Sequence, residues 1–311
     1  LQLTETADVL VENFRPGVMK RLKLDYDQIK KINKKIIFCS ISGYGQTSHW
    51  KDRPAYDQII QGVSGLMSIT GDQETSPLRA GFPVADTVGG ITAAFAISAA
   101  LNAKPRGTFI DVSMLEALMS SMGWVVSNYL NTGVEPIAHG NENPTSAPSG
   151  TFNTSDGLLN IAANKDKQWQ LLTDYLDLAH LRKNSAYKTR EARKKNRTSL
   201  KKELEKVLGK YPADKWVKEL SEIGVPVSKV LKVSEILKSE QIVSSGFLTK
   251  YQQVKKVDRD VRVATTGIKI DGMHPRVSAP PPSIGEHNDE IFDELGLSSS
   301  DLYNLAKKGI V

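Results

Sequence analysis

The sequence has a single cysteine, Cys39, among its 311 residues. One cysteine excludes an internal disulfide framework, and its place in the apolar run IIFCSI (36–41) is typical of a small buried side chain. We therefore expect no catalytic role for Cys39. A free thiol suits a reducing compartment, so we expect a cytoplasmic protein, with the mitochondrial matrix as the alternative.

Long hydrophobic runs are also absent. A bilayer span needs about 18 or more apolar residues in a row, and the most apolar stretch, 88–101, is shorter, so we expect no membrane insertion. The sequence contains no P-loop, no GxGxxG fingerprint and no GxSxG nucleophile elbow. Its five histidines form no HxxxH pair, so we expect neither a metal site nor a permanently bound cofactor.

The charge balance is basic, with a net charge of +6 and a pI near 9.1. Such a balance is typical of proteins that bind nucleic acids or phosphate-bearing ligands. The densest basic tract, 182–202, has neither zinc-finger spacing nor an aromatic RNP motif, and we interpret it as a solvated helical face. We expect no nucleic-acid partner; the alternative, DNA binding through this tract, predicts an affinity that falls steeply with salt.

Short β-branched runs alternate with helical patterns in the first part of the chain. DVLVE (8–12) and IIFCSIS (36–42) flank a segment whose apolar residues recur at helical spacing, and TFIDVS (108–113) is a further strand candidate. Helices are predicted at 57–68, from Asp86 to about 103, and at 114–130. This order predicts an α/β protein with a parallel sheet, whose ligand loops follow the strands at ENFRPG (12–17) and SGYGQTS (42–48).

The segment 131–150, NTGVEPIAHGNENPTSAPSG, has no apolar period and is rich in Gly, Pro, Asn and Ser. Beyond it, short strands and amphipathic helices predict a second unit. We therefore expect a large Rossmann-like domain at 1–135, a linker or flap at 136–150, and a smaller α+β domain at 151–265. Residues 266–311 are expected to return to the large domain and pack on it with terminal helices.

Asp86 stands at the head of a long run of small apolar residues in GFPVADTVGGITAAFAISAALNAK (81–104). An aspartate in this place is typical of a helix N-cap, whose side chain accepts a hydrogen bond from a free backbone N–H. Local sequence alone therefore predicts a capping role. Whether Asp86 also does chemistry depends on the rest of the chain.

Eight segments, in order, carry a resemblance to a known family. They are ADVLVENFRPGVMKRL, IIFCSISGYGQTS, PAYDQIIQGVSGLMSITG, GFPVADTVGG, FIDVSMLEA, TFNTSDGLLNIAANKDKQW, IGVPVSKVL and GEHNDEIFDELGL. Together they resemble the class III CoA-transferases, the family of formyl-CoA transferase and of the carnitine and bile-acid CoA-transferases. The resemblance covers nearly the whole chain, although the family's N-terminal quarter has no counterpart here, so we expect a piece of a longer protein.

The resemblance implies that Asp86 is a nucleophile in CoA transfer from an acyl-CoA to a small carboxylic acid. The family's aspartate attacks the acyl-CoA carbonyl, forms a mixed anhydride and then carries CoA as an aspartyl thioester. Splitting one hard transfer into easier steps is the general advantage of covalent catalysis. Gly89 and Gly90 would allow close approach of substrate, or alternatively close helix packing. An interlocked homodimer is also implied.

A racemase related to this family is the main competing interpretation. It pairs the equivalent aspartate with a histidine, and here Tyr56 stands at the matching position. Two-base proton transfer needs a second general base, and a phenol stays protonated at neutral pH. The substitution favours the transferase, with Tyr56 as a hydrogen-bond donor near the acyl group. A truncated CoA-binding protein without turnover is the other alternative.

The CoA site implied by the resemblance lies in the loop after the first strand. Asn13 would bind polar groups, Phe14 would lie against the adenine or the pantetheine arm, and Arg15 and Arg21 would pair with phosphate oxygens. Without the family, the same residues describe a strand-to-helix turn with solvated arginines. Residues 141–150 stand where some members carry a glycine-rich flap, and we predict either a flap or an interdomain linker.

Overall fold

The computed structural model describes residues 1–254, 257–275 and 278–310. The chain forms two compact units, Leu1–Ser228 and Lys229–Val311. The domain limits predicted from the sequence stay a prediction.

A three-stranded parallel sheet forms the first part of Leu1–Ser228, in the order β1-β2-β3. Its strands are β1 (Val9–Glu12), β2 (Ile37–Ser42) and β3 (Thr108–Ser113). The strands are joined by crossover helices, as parallel neighbours require. The predicted α/β class with a parallel sheet is therefore confirmed.

Both faces of this sheet are covered by helices. The helices around it are α1 (Val18–Arg21), α2 (Tyr26–Ile32), α3 (Asp57–Val63), α4 (Val84–Asn102), α5 (Met114–Ser121) and α6 (Trp124–Thr132). On one face, Ile29 of α2 packs against Phe38 of β2. On the other, Ala93 of α4 packs against Cys39 and Val112. The buried position predicted for Cys39 is confirmed, and burial raises the pKa of its thiol, with smaller contributions from nearby carboxylates.

Helix α4 is the longest helix in the described ranges, with 19 residues. By length and hydropathy alone, α4 is apolar enough to cross a membrane. The sequence analysis did not predict this, because the most apolar stretch, 88–101, was shorter than a bilayer span. Only Ala85, Gly89 and Ala93 are buried in it, on the side facing the sheet and α5. Its outer side carries Phe95, which is 75% exposed.

A second sheet follows along the chain, in the order β4-β5-β6. Its strands are β4 (Ser149–Asn153), β5 (Leu158–Ala162) and β6 (Val227–Lys229), and its helices are α7 (Asp166–Tyr175), α8 (Arg190–Lys195), α9 (Arg197–Leu208) and α10 (Ala213–Glu222). Strands β4 and β5 are antiparallel. Apolar residues at helical spacing on α7, α9 and α10 bury Trp169, Leu204 and Trp216 in one core beneath β5.

The unit Lys229–Val311 contains short elements. They are α11 (Val233–Ile236), α12 (Glu240–Val243), the antiparallel pair β7 (Leu248–Tyr251) and β8 (Val261–Ala264), α13 (Asn288–Glu294) and α14 (Ser299–Lys307). Helix α14 begins with a capping box, in which Ser298 and Asp301 bond each other's backbone N–H.

Three details correct the sequence analysis. The helix predicted at 114–130 is broken at Gly123, whose φ of +51° ends α5 and begins α6. The helix predicted at 57–68 ends at Val63, and a 3₁₀ turn covers Leu66–Ile69. The basic tract 182–202 is not uniformly solvated, because Arg193 is 1% exposed.

Candidate active site

A cavity of about 560 Å³ opens where the parallel strands end. Loops that follow β1 and β2 meet there with the first turns of α4 and α5, and ligands of open parallel sheets usually gather at this edge. The lining residues are Asn13, Phe14, Arg15, Pro16, Ile41, Ser42, Gly43, Lys51, Arg53, Ala55, Tyr56, Asp86, Gly90 and Met114. The cavity therefore brings together Asn13, Phe14, Arg15, Tyr56 and Asp86, five of the six site residues predicted from the sequence.

Asp86 does not cap its helix, which corrects the local prediction. Helix α4 begins at Val84 with Pro83 as N-cap, so Asp86 is the third helical residue. The capping bond comes from another helix, because the backbone N–H of Ala85 donates to Oδ1 of Asp57 at 2.8 Å. No hydrogen bond holds the Asp86 carboxylate among the residues that the structure describes. The side chain is exposed and lines the cavity.

The surroundings of Asp86 change its proton affinity. Although the residue is exposed, partial desolvation of its carboxyl group raises the pKa of Asp86, and the negative charge of Asp57 raises it further. Desolvation and a like charge both disfavour the carboxylate. A carboxylate with fewer favourable partners is more reactive toward an electrophile once it has ionised.

The two glycines after Asp86 have different surroundings. A Cβ on Gly89 would lie 3.2 Å from Cγ of Met114, so Gly89 permits the close packing of α4 on α5. Gly90 lines the cavity, and a Cβ there would meet no atom within 4 Å. The packing interpretation therefore applies to Gly89, and close approach of substrate at Gly90 stays a prediction.

The turn after β1 is held from below by a buried carboxylate. Oε2 of Glu12 accepts a hydrogen bond from the backbone N–H of Phe14 at 2.8 Å. This bond presents Asn13, Phe14 and Arg15 at the cavity. Arg21 is not among the lining residues; its guanidinium lies beside Gly17. The predicted phosphate contact of Arg21 stays a prediction.

Two cations at the cavity, Lys51 and Arg53, were missed by the sequence analysis. They belong to the loop after β2, of which only the first part, SGYGQTS, was predicted to bind a ligand. The guanidinium of Arg53 stacks on the ring of Trp50 at 4.2 Å, and Trp50 packs edge-on against the buried Tyr44 at 5.5 Å. Arg53 is thus ordered before a ligand arrives. The signal was the local sequence WKDR, in which an aromatic residue precedes two cations.

Tyr56 is the N-cap residue of α3 and is 76% exposed. Its ring lines the cavity together with Asp86. No histidine is among the described residues that line this cavity. The match of Tyr56 to the histidine of a racemase stays a prediction.

The family of the chain follows from its sequence. The model of the CoA-transferase family III matches residues 1–288. The chain belongs to CoA-transferase family III. This membership confirms the predicted class of enzyme, which transfers CoA between an acyl-CoA and a carboxylic acid.

Two named CoA-transferases and one solved structure are similar to this protein over most of the chain. An acetyl-CoA:oxalate CoA-transferase of Acetobacter aceti is 34% identical over 284 residues, covering 90% of this chain and 72% of that protein. A human succinyl-CoA:glutarate CoA-transferase is 31% identical over 299 residues, covering 94% and 67%. The crystal structure of a CaiB/BaiF family protein from Brucella suis superposes with a TM-score of 0.82 at 31% identity, covering 94% and 77%.

The loop 141–150, predicted as a family III flap or a linker, does not line the cavity that holds Asp86. It is tied to the helices of the second sheet. Nε of Arg193 donates to the carbonyl oxygen of Ala147 at 2.8 Å, and Nη1 of Arg197 donates to that of Asn143 at 3.1 Å. Whether the loop also works as a flap stays a prediction.

Within the described ranges, no group of three or more His, Cys, Asp or Glu residues is placed to hold a metal ion.

Proposed function

We propose that this family III enzyme transfers CoA through covalent intermediates on Asp86. The observation that carries the proposal is that Asp57 of α3 and Asp86 of α4 have different roles at the start of α4. Asp57 takes the capping bond, while the Asp86 carboxylate lies at the cavity without a hydrogen-bond partner in the described structure. Because Asp57 takes the capping bond, the oxygens of Asp86 stay available to a substrate in the cavity.

The first half of the proposed reaction releases the donor acid. An oxygen of Asp86 attacks the thioester carbonyl carbon; a C–O bond forms, the C–S bond breaks and CoA leaves as its thiolate. The thiolate then attacks the Asp86 carbonyl carbon of the mixed anhydride, which expels the donor acid as its carboxylate. Asp86 then carries CoA as a thioester. Each step exchanges one acyl bond for another, so no oxidant or reductant is consumed.

The second half is the reverse sequence with the acceptor. The acceptor carboxylate attacks the Asp86 carbonyl carbon and displaces the CoA thiolate, which gives a new mixed anhydride. The thiolate attacks the acceptor's carbonyl carbon, which forms the product acyl-CoA and regenerates the Asp86 carboxylate. We assign hydrogen bonding near the acyl group to Tyr56, because it lines the same cavity from the start of α3.

CoA phosphates and the acceptor's charge are assigned to the cations at the cavity. Arg15, Lys51 and Arg53 contribute three positive side chains, and guanidinium groups bind carboxylate and phosphate oxygens in pairs. Asn13 and Phe14 are proposed to contact CoA beside them. We propose a dicarboxylic acid as acceptor, since oxalate and glutarate appear in the names of the two relatives above.

The test is a CoA-exchange assay in which chromatography separates the donor acyl-CoA from the product acyl-CoA. Acetyl-CoA or succinyl-CoA is supplied with oxalate, succinate or glutarate, and with propionate as the monocarboxylate. Transfer to a dicarboxylate that is lost in Asp86→Asn supports the proposal. Deuterium exchange next to the thioester without an acceptor would favour the racemase, and tight acyl-CoA binding without transfer would favour a binding protein without turnover.

We also propose that the chain works as a homodimer and not in a membrane. The outer side of α4 exposes Ile91 and Phe95, and α6 exposes Trp124 and Leu130. Exposed apolar side chains such as these favour an interface with a second copy of the chain. Helix α4 is packed on the sheet and carries Asp86, so crossing a bilayer would dismantle the cavity. Analytical ultracentrifugation without detergent tests this: a dimer supports the proposal, and a detergent requirement contradicts it.

The proposed compartment is a reducing one, the cytoplasm or the mitochondrial matrix. The support is the single buried thiol of Cys39. Fractionation of cells that express the native gene tests this assignment, and recovery from an oxidising compartment would contradict it.

A further inference from the structure

Helix α3 holds both ends of the segment that leads to Asp86. At one end, the backbone N–H of Ala80 donates to Oε1 of Gln61 at 2.8 Å. At the other, the backbone N–H of Ala85 donates to Oδ1 of Asp57 at 2.8 Å. Asp57 and Gln61 are four residues apart, so their side chains lie on one face of α3. Two side chains of one helix turn thus fix a six-residue stretch of backbone.

The two side chains also bond each other. Nε2 of Gln61 donates to Oδ2 of Asp57 at 2.7 Å and approaches the carbonyl oxygen of Phe82 at 3.4 Å. Gln61 is 0% exposed, and Asp57 is buried as well. A buried network in which every polar group has a partner allows few alternative arrangements. Neither residue lines the cavity, so both act on the reaction through other groups.

The segment between these bonds ends directly before Asp86. Ala85 is completely buried, and its N–H is fixed, so the backbone that carries Asp86 starts from a defined point. We propose that Asp57 and Gln61 are positioning residues that hold the start of α4 so that the Asp86 carboxylate meets the thioester carbonyl. This inference rests on the proposed role of Asp86.

Asp57 and Gln61 together form a clamp on the start of α4. The charge of Asp57 gives this clamp a second effect that an apolar side chain would lack. Four charged side chains face the Asp86 region from the elements around it: Asp57 from α3, Arg15 from the turn after β1, and Lys51 and Arg53 from the loop after β2. Asp57 raises the pKa of Asp86 in addition to the larger effect of desolvation. Removing the Asp57 charge therefore lowers the pKa of Asp86, and the ionised, reactive form persists to lower pH.

The first experiment compares Gln61→Met with Gln58→Met in the full-length chain. Methionine matches glutamine in length but offers neither the amide donor nor the acceptor. Gln58 lies on the exposed side of the same helix and lines no part of the cavity, so its variant controls for the substitution itself. We expect kcat of Gln61→Met to fall by about 10- to 100-fold, the usual effect of a displacement near 1 Å at a reacting group. The KM for acyl-CoA should stay near that of the control.

The second experiment measures the pH dependence of kcat/KM for Asp57→Asn. Asparagine keeps an oxygen for the Ala85 N–H and removes the charge, but it replaces the acceptor of the Gln61 amide with a second donor. The acid limb of this profile reports the free enzyme's essential carboxylate. We expect this limb to move to lower pH, whereas a purely structural defect would lower the profile without moving it. This readout also remains usable if Gln61→Met folds poorly, as judged by circular dichroism.

The outcomes separate the clamp from the role of Asp86. If Asp86→Asn transfers CoA at the wild-type rate, the proposed function fails. If Asp86→Asn is inactive while Gln61→Met matches Gln58→Met in kcat, the clamp is refuted and the proposed function stands. An acid limb that does not move in Asp57→Asn refutes the electrostatic effect of the clamp.

Discussion

Gly43 has no room for a side chain, and this sets up a sharp test of the cavity. The residue lies directly after β2, and a Cβ on it would overlap the Cβ of Ala55 and lie 3.4 Å from Cδ1 of Ile60. Ordinary carbon–carbon contacts are about 3.5–4.0 Å, so the two ends of the loop 43–56 must separate by about 1 Å or more. Ala55 precedes Tyr56, and both line the cavity with Gly43.

Gly43→Ala is therefore expected to damage stability and catalysis together. Overpacking of this kind costs about 1–3 kcal/mol of unfolding free energy, which lowers the Tm by a few degrees. A separation of about 1 Å beside the reacting groups costs on the order of 100-fold in kcat/KM. Differential scanning fluorimetry gives the Tm, and the chromatographic exchange assay gives the rates.

Gly62→Ala provides the matched control. A Cβ on Gly62 would lie at an ordinary 3.8 Å from Sδ of Met67, and Gly62 is inside α3. Alanine in a helix is more favourable than glycine by about 0.5–1 kcal/mol, so this variant should be as stable as the wild type or more so. Wild-type Tm and kcat/KM in Gly43→Ala would refute the packing argument, and equal losses in both variants would show that the effect is not local.

Three further outcomes follow from single side chains. Arg193→Met should lower the unfolding free energy by about 3 kcal/mol in a urea titration, because two buried carbonyl oxygens lose their donor; exposed Lys195→Met should change it little. Arg53→Gln should raise the KM of an anionic substrate by about 10-fold or more and weaken its salt dependence, and an unchanged KM would remove Arg53 from the binding site. The hydrogen bond to Glu219 raises the pKa of Tyr175 to about 12. Glu219→Gln should therefore lower the pKa of this one tyrosine, which an absorbance titration of the phenols measures.

The sheet and its ligand edge could be predicted from local patterns. Alternating β-branched runs and helical periods predict parallel strands, and the residues after a strand lie at its carboxyl end whatever the details of packing. The loop with Asn13, Phe14 and Arg15 was found in this way, whereas the site role of Asp86 was implied by the family resemblance. All four line one cavity.

The capping of α4 could not be predicted in that way. The aspartate nearest the helix start is Asp86, and local spacing makes it the natural cap. The bond instead comes from Asp57, which is close only after α3 has packed against α4. Contacts between residues far apart in sequence leave no periodic signal. The burial of Arg193 was missed for the same reason, because its acceptors include the distant carbonyl of Ala147.

The break at Gly123 illustrates a third kind of failure. Residues 114–130 have apolar side chains at helical spacing throughout, and one glycine in a helix costs only about 1 kcal/mol relative to alanine. The periodic pattern therefore predicts one helix. In the structure Gly123 adopts a φ of +51°, which separates α5 from α6.

The central claim is that CoA is carried on the side chain of Asp86. Incubating the enzyme with acyl-CoA, quenching with hydroxylamine and digesting it for peptide mass spectrometry tests this claim directly, because hydroxylamine converts an activated aspartyl group to a stable hydroxamate. We predict a hydroxamate on Asp86 that requires acyl-CoA and is absent in Asp86→Asn. A hydroxamate on a different residue, or no adduct in an enzyme that turns over normally, would contradict the claim.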